Sequence, residues 1–175
     1  MRLIGLAGYS GAGKTTLATR LLPELIARGL SVSTLKHAHH AFDVDVPGKD
    51  SYVHRMAGAR EVLVSSANRF ALMHELRGAP EPGLPDLLAR LAPVDLVLVE
   101  GFKRERHPKI ENHRAAYGKP WLYPEDPMIV AIASDVAPAS ALPRVALDDV
   151  ARVADLVTAH AAPARAVFPE APWPS

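Results

Sequence analysis

The residues with the clearest chemistry lie at positions 8–16, near the start of the chain. They read Gly-Tyr-Ser-Gly-Ala-Gly-Lys-Thr-Thr and complete the pattern G-x-x-x-x-G-K-[ST], which is typical of a phosphate-binding loop, or P-loop. Glycine lets the main chain turn tightly and approach a phosphate without an intervening Cβ atom. Successive N–H groups then line a concave surface at the positive end of the following helix. The pattern predicts a site for the phosphates of a nucleotide; the alternative is a glycine-rich turn that binds nothing.

Each residue type in this loop has an expected task. Lys14 supplies a point charge for the β- and γ-phosphates, and the Thr15 hydroxyl is placed to bind Mg²⁺. Thr16 is within reach of an α-phosphate in this arrangement. The residues expected to hold the phosphates are Ser10, Gly11, Ala12, Gly13, Lys14, Thr15 and Thr16.

The segments around the loop have the patterns of a strand and a helix. Residues 3–7 form a short apolar run, which predicts a buried strand. Leu17, Leu21 and Leu25 recur every fourth residue, which predicts a helix that Pro23 should kink. Because a P-loop needs a strand before it and a helix after it, this context favours the phosphate site over an empty turn.

Strand and helix patterns alternate along the rest of the chain, which favours a parallel sheet covered by helices. We predict an α/β fold of three layers, the P-loop NTPase fold, with helices on both faces of a mostly parallel sheet and a β-hairpin extension. Residues 1–160 are expected to form one nucleotide-binding domain, and the Ala- and Pro-rich residues 161–175 a loose tail. The predicted strands after the first are 30–35, 61–65, 70–73, 96–99, 128–133 and 145–147, and the predicted later helices are 51–57, 86–91 and one capped by Asp148 or Asp149.

The composition limits the class of protein. With 175 residues, 49% of them apolar and 22% charged, the chain suits a globular domain with a sizeable core. The net charge of +1 gives no overall field that would attract nucleic acid. The absence of cysteine excludes disulfides, thiolate metal sites and a cysteine nucleophile. The first apolar run is too short for a signal peptide, and no stretch is long enough to span a bilayer, so we expect a cytoplasmic protein without a membrane partner.

Glu100 ends the apolar run of residues 96–99. A carboxylate at the end of a buried strand is the Walker B arrangement, in which the acid binds Mg²⁺ directly or through water. In parallel sheets ligands bind beyond the carboxyl ends of the strands, where Glu100 is expected to lie. The alternative is a carboxylate that only caps the next turn.

The segment after the second predicted strand is rich in histidine and carboxylate. It favours contact with a phosphate or a substrate, with Lys36 and His37 as donors and with Asp45 or Asp50 joining the Mg²⁺ shell. A solvated loop is the first alternative, and a transition-metal site is the second. The histidines and acids in question are His37, His39, His40, Asp43, Asp45 and Asp50.

Two further positions have candidate roles. Lys103 lies closest to Glu100 in a charged segment, residues 103–107, and is a candidate phosphate contact, whereas the other charges are expected to be solvated. Asp135 ends another predicted strand. Its carboxylate could accept hydrogen bonds from N1–H and the exocyclic amine of guanine, a pair that adenine does not offer, and a turn cap is an equal alternative.

Taken together, these motifs resemble the family of molybdopterin-guanine dinucleotide biosynthesis protein B, MobB. The P-loop is generic, whereas the histidine loop and the Glu-Gly-Phe-Lys end of the strand are far more specific. The resemblance extends from the first strand to the last helix. It is carried by residues 8–16, Lys36-His37-x-His39-His40, residues 43–51, His54-Arg55-x-Ala57-Gly58-Ala59, residues 96–103 and residues 132–135.

The resemblance implies a dimeric, adapter-like protein that binds GTP and Mg²⁺ and hydrolyses GTP weakly at most. Its partners would be molybdopterin and the guanylyltransferase that joins GMP to molybdopterin. By position, Ser10 to Thr16 would hold the phosphates, Thr15 and Glu100 would hold Mg²⁺, and Asp135 would read guanine. The hairpin strand at residues 70–73 could supply an apolar edge for a homodimer.

Two other functions fit a P-loop. A kinase or ligase for a small molecule would need an arginine-rich lid, which Arg104 and Arg106 supply only weakly. An interaction module could keep a nucleotide for structural reasons alone. No glutamine or arginine stands out as a catalytic residue, which fits slow turnover and leaves the catalytic residues unassigned.

Overall fold

The protein is described by a computed structural model that covers residues 1–38 and 42–173 in two compact units. The first unit runs from Met1 to His37 and continues from Leu84 onward, and the second runs from Ala38 to Gly83. His39 and His40, two members of the predicted histidine loop, lie outside the described residues. None of the described helices is both long and apolar enough to cross a bilayer.

The secondary structure alternates between strands and helices. The strands are β1 (Arg2–Ala7), β2 (Val32–Lys36), β3 (Glu61–Ser65), β4 (Phe70–His74), β5 (Leu96–Glu100), β6 (Lys109–His113), β7 (Ile129–Ser134), β8 (Arg144–Val145) and β9 (Ala162–Pro163). The helices are α1 (Lys14–Ala27), α2 (Asp50–Met56), α3 (Leu84–Leu88), α4 (Val150–His160) and α5 (Ala164–Val167).

The first unit is built on a mostly parallel sheet with the strand order β2-β5-β1-β6-β7-β8. Every neighbouring pair in this order is parallel, and β9 pairs antiparallel with β1. Because β1 lies between β5 and β6, the loop that follows β1 lies between the carboxyl ends of those two strands. The predicted α/β fold is confirmed, and ligands of such sheets bind at this edge.

Helices cover both faces of this sheet. On one face α1 and α4 pack on β1, β5, β6 and β7, and the three leucines that predicted α1 are buried at 0–3% exposure. On the other face α3 packs with the C-terminal segment over Leu3, Val97 and Val99. Helix α1 continues through Pro23, and Asp149 caps α4 by accepting a hydrogen bond from the N–H of Arg152.

Strand β6 is a central strand that the sequence pattern did not predict, and its five residues are all buried. It reads Lys-Ile-Glu-Asn-His and has no apolar run. Its polar side chains can be buried because they have hydrogen-bond partners inside the protein. Lys109 Nζ donates to the carbonyl of Lys103 and to Asp126, at 2.8 and 2.9 Å. Glu111 accepts from the N–H groups of residues 122 and 123, and burial raises its pKa.

The C-terminal segment is more ordered than the loose tail expected from its composition. Ala162 and Pro163 pair with β1, and the Arg2 guanidinium donates to the carbonyl of Ala161. Phe168 and Trp173 pack with Val97 and Val99 on the sheet. The expectation of a loose tail is wrong for these residues because they cover apolar surface. The boundary at residue 160 stays a prediction.

The second unit contains α2 and the predicted hairpin of β3 and β4. The strands pair in register from Glu61 opposite His74 to Ser65 opposite Phe70. Helix α2 begins at Asp50, one residue before the predicted start, and Ser51 donates to Asp45. The guanidinium of Arg55 contacts three carboxylates of this unit, those of Asp43, Asp45 and Glu75.

His107 makes a testable contribution to the pH dependence of folding. Its ring is fully buried, and neither ring nitrogen has a hydrogen-bond partner among the described residues. Burial, together with the Lys109 charge, lowers its pKa to about 4. Between pH 6.5 and 4 the unfolded chain therefore binds a proton that the folded chain does not, so stability falls as the pH falls.

We expect this titration to cost about 3 kcal/mol of unfolding free energy between pH 6.5 and 4. Urea unfolding at several pH values would show a flatter dependence for His107→Leu than for the natural protein. His54→Gln, a change at an exposed histidine, is the control. The same pH dependence in all three proteins would contradict the assignment.

Candidate functional site

The P-loop connects β1 to α1 and has the backbone that its glycines allow. Gly8, Gly11 and Gly13 have φ angles of 153°, 84° and 86°, a region that other residues rarely adopt. A Cβ atom at Gly8 would lie 2.5 Å from the carbonyl oxygen of Asn112 on β6. Gly8 therefore permits the close approach of the loop to its neighbouring strand.

The main-chain N–H groups at the start of α1 are available to an anion. Within the described part of the chain, no acceptor takes a hydrogen bond from the N–H groups of Gly13, Lys14, Thr15 or Thr16. Gly13 is the residue before the helix and has no side chain, so it offers no oxygen atom to cap these N–H groups. Unpaired donors at a helix N-terminus attract a phosphate, because the helix dipole adds to them.

Lys14 is held close to the loop that it is predicted to serve. Its ammonium group donates to the carbonyl oxygens of Gly8 and Tyr9, at 2.9 and 3.0 Å. Burial lowers the pKa of Lys14, the Glu100 carboxylate acts in the opposite direction, and the positive charges of Lys103 and Lys36 lower it further. A phosphate beside this ammonium would favour its charged form.

Thr15 and Glu100, the two predicted magnesium ligands of this unit, are in direct contact. The Thr15 hydroxyl donates to both carboxylate oxygens of Glu100, at 2.9 and 3.2 Å. Lys36 approaches the same group, with its Nζ 3.4 Å from the carboxylate and 3.3 Å from the hydroxyl. These oxygen atoms are the hard ligands that Mg²⁺ prefers, so the residues fit the ion.

A close crossing of two loops fixes the ends of β2 and β5. The His37 N–H donates to the Glu100 carbonyl at 2.9 Å, and the His37 ring contacts Phe102 at 4.9 Å between centroids. A Cβ atom at Gly101, where φ is 96°, would lie 2.6 Å from that of His37. The Lys103 ammonium lies 5.4 Å from the centre of the Tyr9 ring, beside the P-loop.

The other side of the P-loop is formed by residues that the sequence analysis did not find. Asn112 Nδ2 donates to the Ala12 carbonyl at 2.7 Å, and its buried Oδ1 has no partner among the described residues. The Tyr117 ring would lie 3.2 Å from a Cβ atom at Gly11. No motif marks these residues. They reach the loop only because Asn112 lies on the unpredicted β6 and Tyr117 follows it.

Asp135 lies at the end of β7 and is exposed. Its Oδ1 accepts a hydrogen bond from the Ala115 N–H at 2.9 Å, so the carboxylate does act as a cap for the neighbouring turn. A carboxylate oxygen can accept more than one hydrogen bond, so this contact leaves capacity for a base. The guanine-reading role stays a prediction.

The two other predicted magnesium ligands, Asp45 and Asp50, belong to the second unit. Asp45 lies 3.4 Å from Arg55 and accepts from the Ser51 hydroxyl, and Asp50 begins α2. The contacts of Asp45 are those of a residue that stabilises its own loop. Over residues 1–38 and 42–173, no three His, Asp or Glu side chains converge as a metal-binding group. The metal roles of Asp45 and Asp50 stay predictions.

Comparison with known families places this site in context. The family model described as Molybdopterin guanine dinucleotide synthesis protein B, MobB, matches residues 3–135 of the chain. The chain belongs to the MobB family. The match spans the P-loop, Glu100, β6 and Asp135, which are the elements that meet at this edge of the sheet, and it confirms the family resemblance of the motifs.

Two bacterial adapter proteins are similar to this member of the MobB family over most of their length. The molybdopterin-guanine dinucleotide biosynthesis adapter protein of Escherichia coli K12 is 43% identical over 158 residues, which cover 89% of this chain and 90% of that protein. The adapter protein of the same name from Haemophilus influenzae is 47% identical over 137 residues, covering 76% and 74%. The Bacillus subtilis MobB structure matches with a TM-score of 0.70 at 25% identity, over 92% of this chain and 98% of that one.

Proposed function

We propose that the protein binds GTP and Mg²⁺ at the P-loop as its part in forming molybdopterin guanine dinucleotide. As a member of the MobB family, it is an accessory protein of this biosynthesis. The observation that carries the proposal is the set of N–H groups from Gly13 to Thr16, which have no acceptor among the described residues, beside the Lys14 ammonium. Such a surface fits the phosphate tail of a nucleoside triphosphate.

The proposed partner is the guanylyltransferase that joins GMP to molybdopterin, with molybdopterin as a further ligand, in the cytoplasm. The adapter proteins that the chain resembles are named for this biosynthesis. Any GTP hydrolysis is expected to be weak. No residue is assigned to orient water, which fits slow hydrolysis. The adapter role is favoured over a kinase or ligase because the relatives of the chain are named as adapter proteins.

A homodimer is part of the proposal, and the hairpin supports it. Leu63, Phe70 and Leu72 lie on one face of the β3–β4 hairpin and are 60%, 72% and 50% exposed. Apolar side chains exposed together on a strand pair favour contact with another chain. The partner surface in this proposal is a second copy of the protein.

The nucleotide preference tests the proposal directly. Titration with GTP, ITP and ATP, each with Mg²⁺, should give the tightest binding for GTP. ITP lacks the exocyclic amine that Asp135 is proposed to bind, and ATP lacks the N1–H as well, so both should bind more weakly. Equal affinity for the three, or no binding of any, would count against the proposal.

Glu100→Gln should change the response to magnesium in two directions. With Mg²⁺ present we expect GTP to bind about tenfold more weakly, because the ion loses a charged ligand. With Mg²⁺ chelated we expect tighter binding than in the natural protein, because the carboxylate no longer repels the phosphates. Glu105→Gln, which removes a charge from the loop after β5, is the control. An equal loss of GTP affinity with and without Mg²⁺ would contradict the proposed magnesium role of Glu100.

A further inference from the structure

We infer that Arg114 contacts the α-phosphate of the bound nucleotide, an inference that rests on the proposed function. Arg114 directly follows β6, the strand that pairs in parallel with β1. The carboxyl ends of these two strands share one edge of the sheet, so Arg114 begins its loop beside the P-loop. No motif in the sequence marks this arginine.

The guanidinium of Arg114 packs against the P-loop itself. A Cβ atom at Gly13 would lie 3.4 Å from its Nε and 3.9 Å from its Nη2. Gly13 is the residue before α1, where the unpaired N–H groups and the helix dipole already give a positive potential. A positive side chain held at this end of a helix is unfavourable unless an anion lies between them.

The acidic partner of Arg114 among the described residues is too weak to explain its position. Asp148 lies 3.7 Å from Nη2, its side chain is 73% exposed, and it is closer to Arg20, at 3.2 Å. Exposed ion pairs of this kind contribute little. The planar guanidinium therefore keeps N–H donors for another acceptor, and its geometry matches two phosphate oxygens.

The strand on which Arg114 depends is fixed to the loop. Asn112, two residues earlier, is 1% exposed and donates from Nδ2 to the Ala12 carbonyl at 2.7 Å. This bond holds the end of β6 against the phosphate-binding turn. Arg114 thus begins from a rigid position, which reduces the entropy lost when it binds a phosphate.

The order of strands indicates which phosphate it meets. Glu100 ends β5 on one side of β1, and Arg114 follows β6 on the other side. With Mg²⁺ held by Thr15 and Glu100 as proposed, the β- and γ-phosphates would lie toward Glu100 and the α-phosphate would lie toward β6. Asp135, which is proposed to bind the guanine base, accepts a hydrogen bond from the N–H of Ala115, the residue next to Arg114. Arg114 therefore stands between the β-phosphate and the base.

Calorimetric titration with Mg²⁺-GTP tests the inference. Arg114→Ala should weaken binding about 10- to 50-fold, which corresponds to the loss of charge-assisted hydrogen bonds to a phosphate. Arg114→Lys keeps the charge without the planar guanidinium, so its affinity should lie between those of Arg114→Ala and the natural protein. Arg20→Ala removes a charge that pairs with the same Asp148, so it controls for net charge and should stay within about twofold of the natural protein.

The outcomes separate this inference from the proposed function. If the natural protein binds Mg²⁺-GTP and Lys14→Ala weakens binding by about 100-fold or more, but both Arg114 variants bind within about twofold of the natural protein, the inference is overturned and the proposed function stands. If the natural protein binds no nucleotide, the proposed function fails first. Should Arg114→Ala fail to fold, as judged by thermal unfolding, Arg114→Lys alone decides: a measurable loss supports the contact and unchanged affinity overturns it.

Discussion

Lys14→Ala should lower the affinity for Mg²⁺-GTP by about 100- to 1,000-fold. The change removes the ammonium group that is proposed to face the β- and γ-phosphates. A phosphate charge would then lose its main partner, at a cost of about 3–4 kcal/mol. In the structure this group donates only to main-chain carbonyls of Gly8 and Tyr9 within the described residues. The variant is therefore expected to fold normally.

The comparison for Lys14→Ala is Lys119→Ala, which removes an exposed lysine in the segment between β6 and β7. Calorimetry should find the affinity of this control within about twofold of the natural protein, since a surface charge is screened by salt. Thermal unfolding without nucleotide should place both variants close to the natural protein. Equal affinities for the two variants would show that Lys14 does not face the phosphates.

Gly8→Ala should destabilise the fold by about 2–4 kcal/mol and abolish nucleotide binding. The added Cβ would lie 2.5 Å from the Asn112 carbonyl oxygen, and φ at this position is 153°. Gly8 directly follows β1, and the Asn112 carbonyl belongs to the main chain of β6. Neither residue can therefore move without displacing β1 from β6. The N–H groups of the P-loop would then lose their common direction.

Gly29→Ala is the control for Gly8→Ala, because it introduces backbone strain without a steric clash. Gly29 has a φ of 84°, also in the left-handed region, but a Cβ atom there would meet nothing within 4 Å. We expect Gly29→Ala to cost about 1 kcal/mol, from conformational strain alone. Urea unfolding should rank Gly8→Ala well below this control, and similar stabilities would contradict the close approach of the loop to β6.

The parts of the fold that sequence predicted well are those with a regular apolar pattern. The run before Glu100 and the spacing of Leu17, Leu21 and Leu25 reflect burial against neighbours that any α/β sheet provides. The P-loop was predictable because its glycines are required by the backbone angles themselves. Thr15 and Glu100 were expected at one site for a separate reason, because the P-loop and Glu100 lie at the carboxyl ends of parallel strands. Their direct hydrogen bond is a finding of the structure.

Strand β6 and the C-terminal segment were not predictable in this way. The polar residues of β6 are buried because distant groups pair with them: Asp126 with Lys109, and the N–H groups of residues 122 and 123 with Glu111. Such pairs leave no local pattern in the sequence. Asn112 lies on β6 and Arg114 directly follows it. Because the strand was not predicted, this side of the site was not predicted either. The Ala- and Pro-rich end likewise gave no sign of pairing with β1.

The most direct test of the central claim observes the main-chain amides of the P-loop. In ¹⁵N-labelled protein, addition of Mg²⁺-GTP should shift the amide proton resonances of Gly13, Lys14, Thr15 and Thr16 downfield. Each of these groups would gain a phosphate acceptor, which the described part of the chain does not supply. The same addition to Lys14→Ala, at the same concentration, should leave them nearly unchanged. If these resonances stay in place in the natural protein while nucleotide is present in large excess, the loop does not hold a phosphate and the account is wrong.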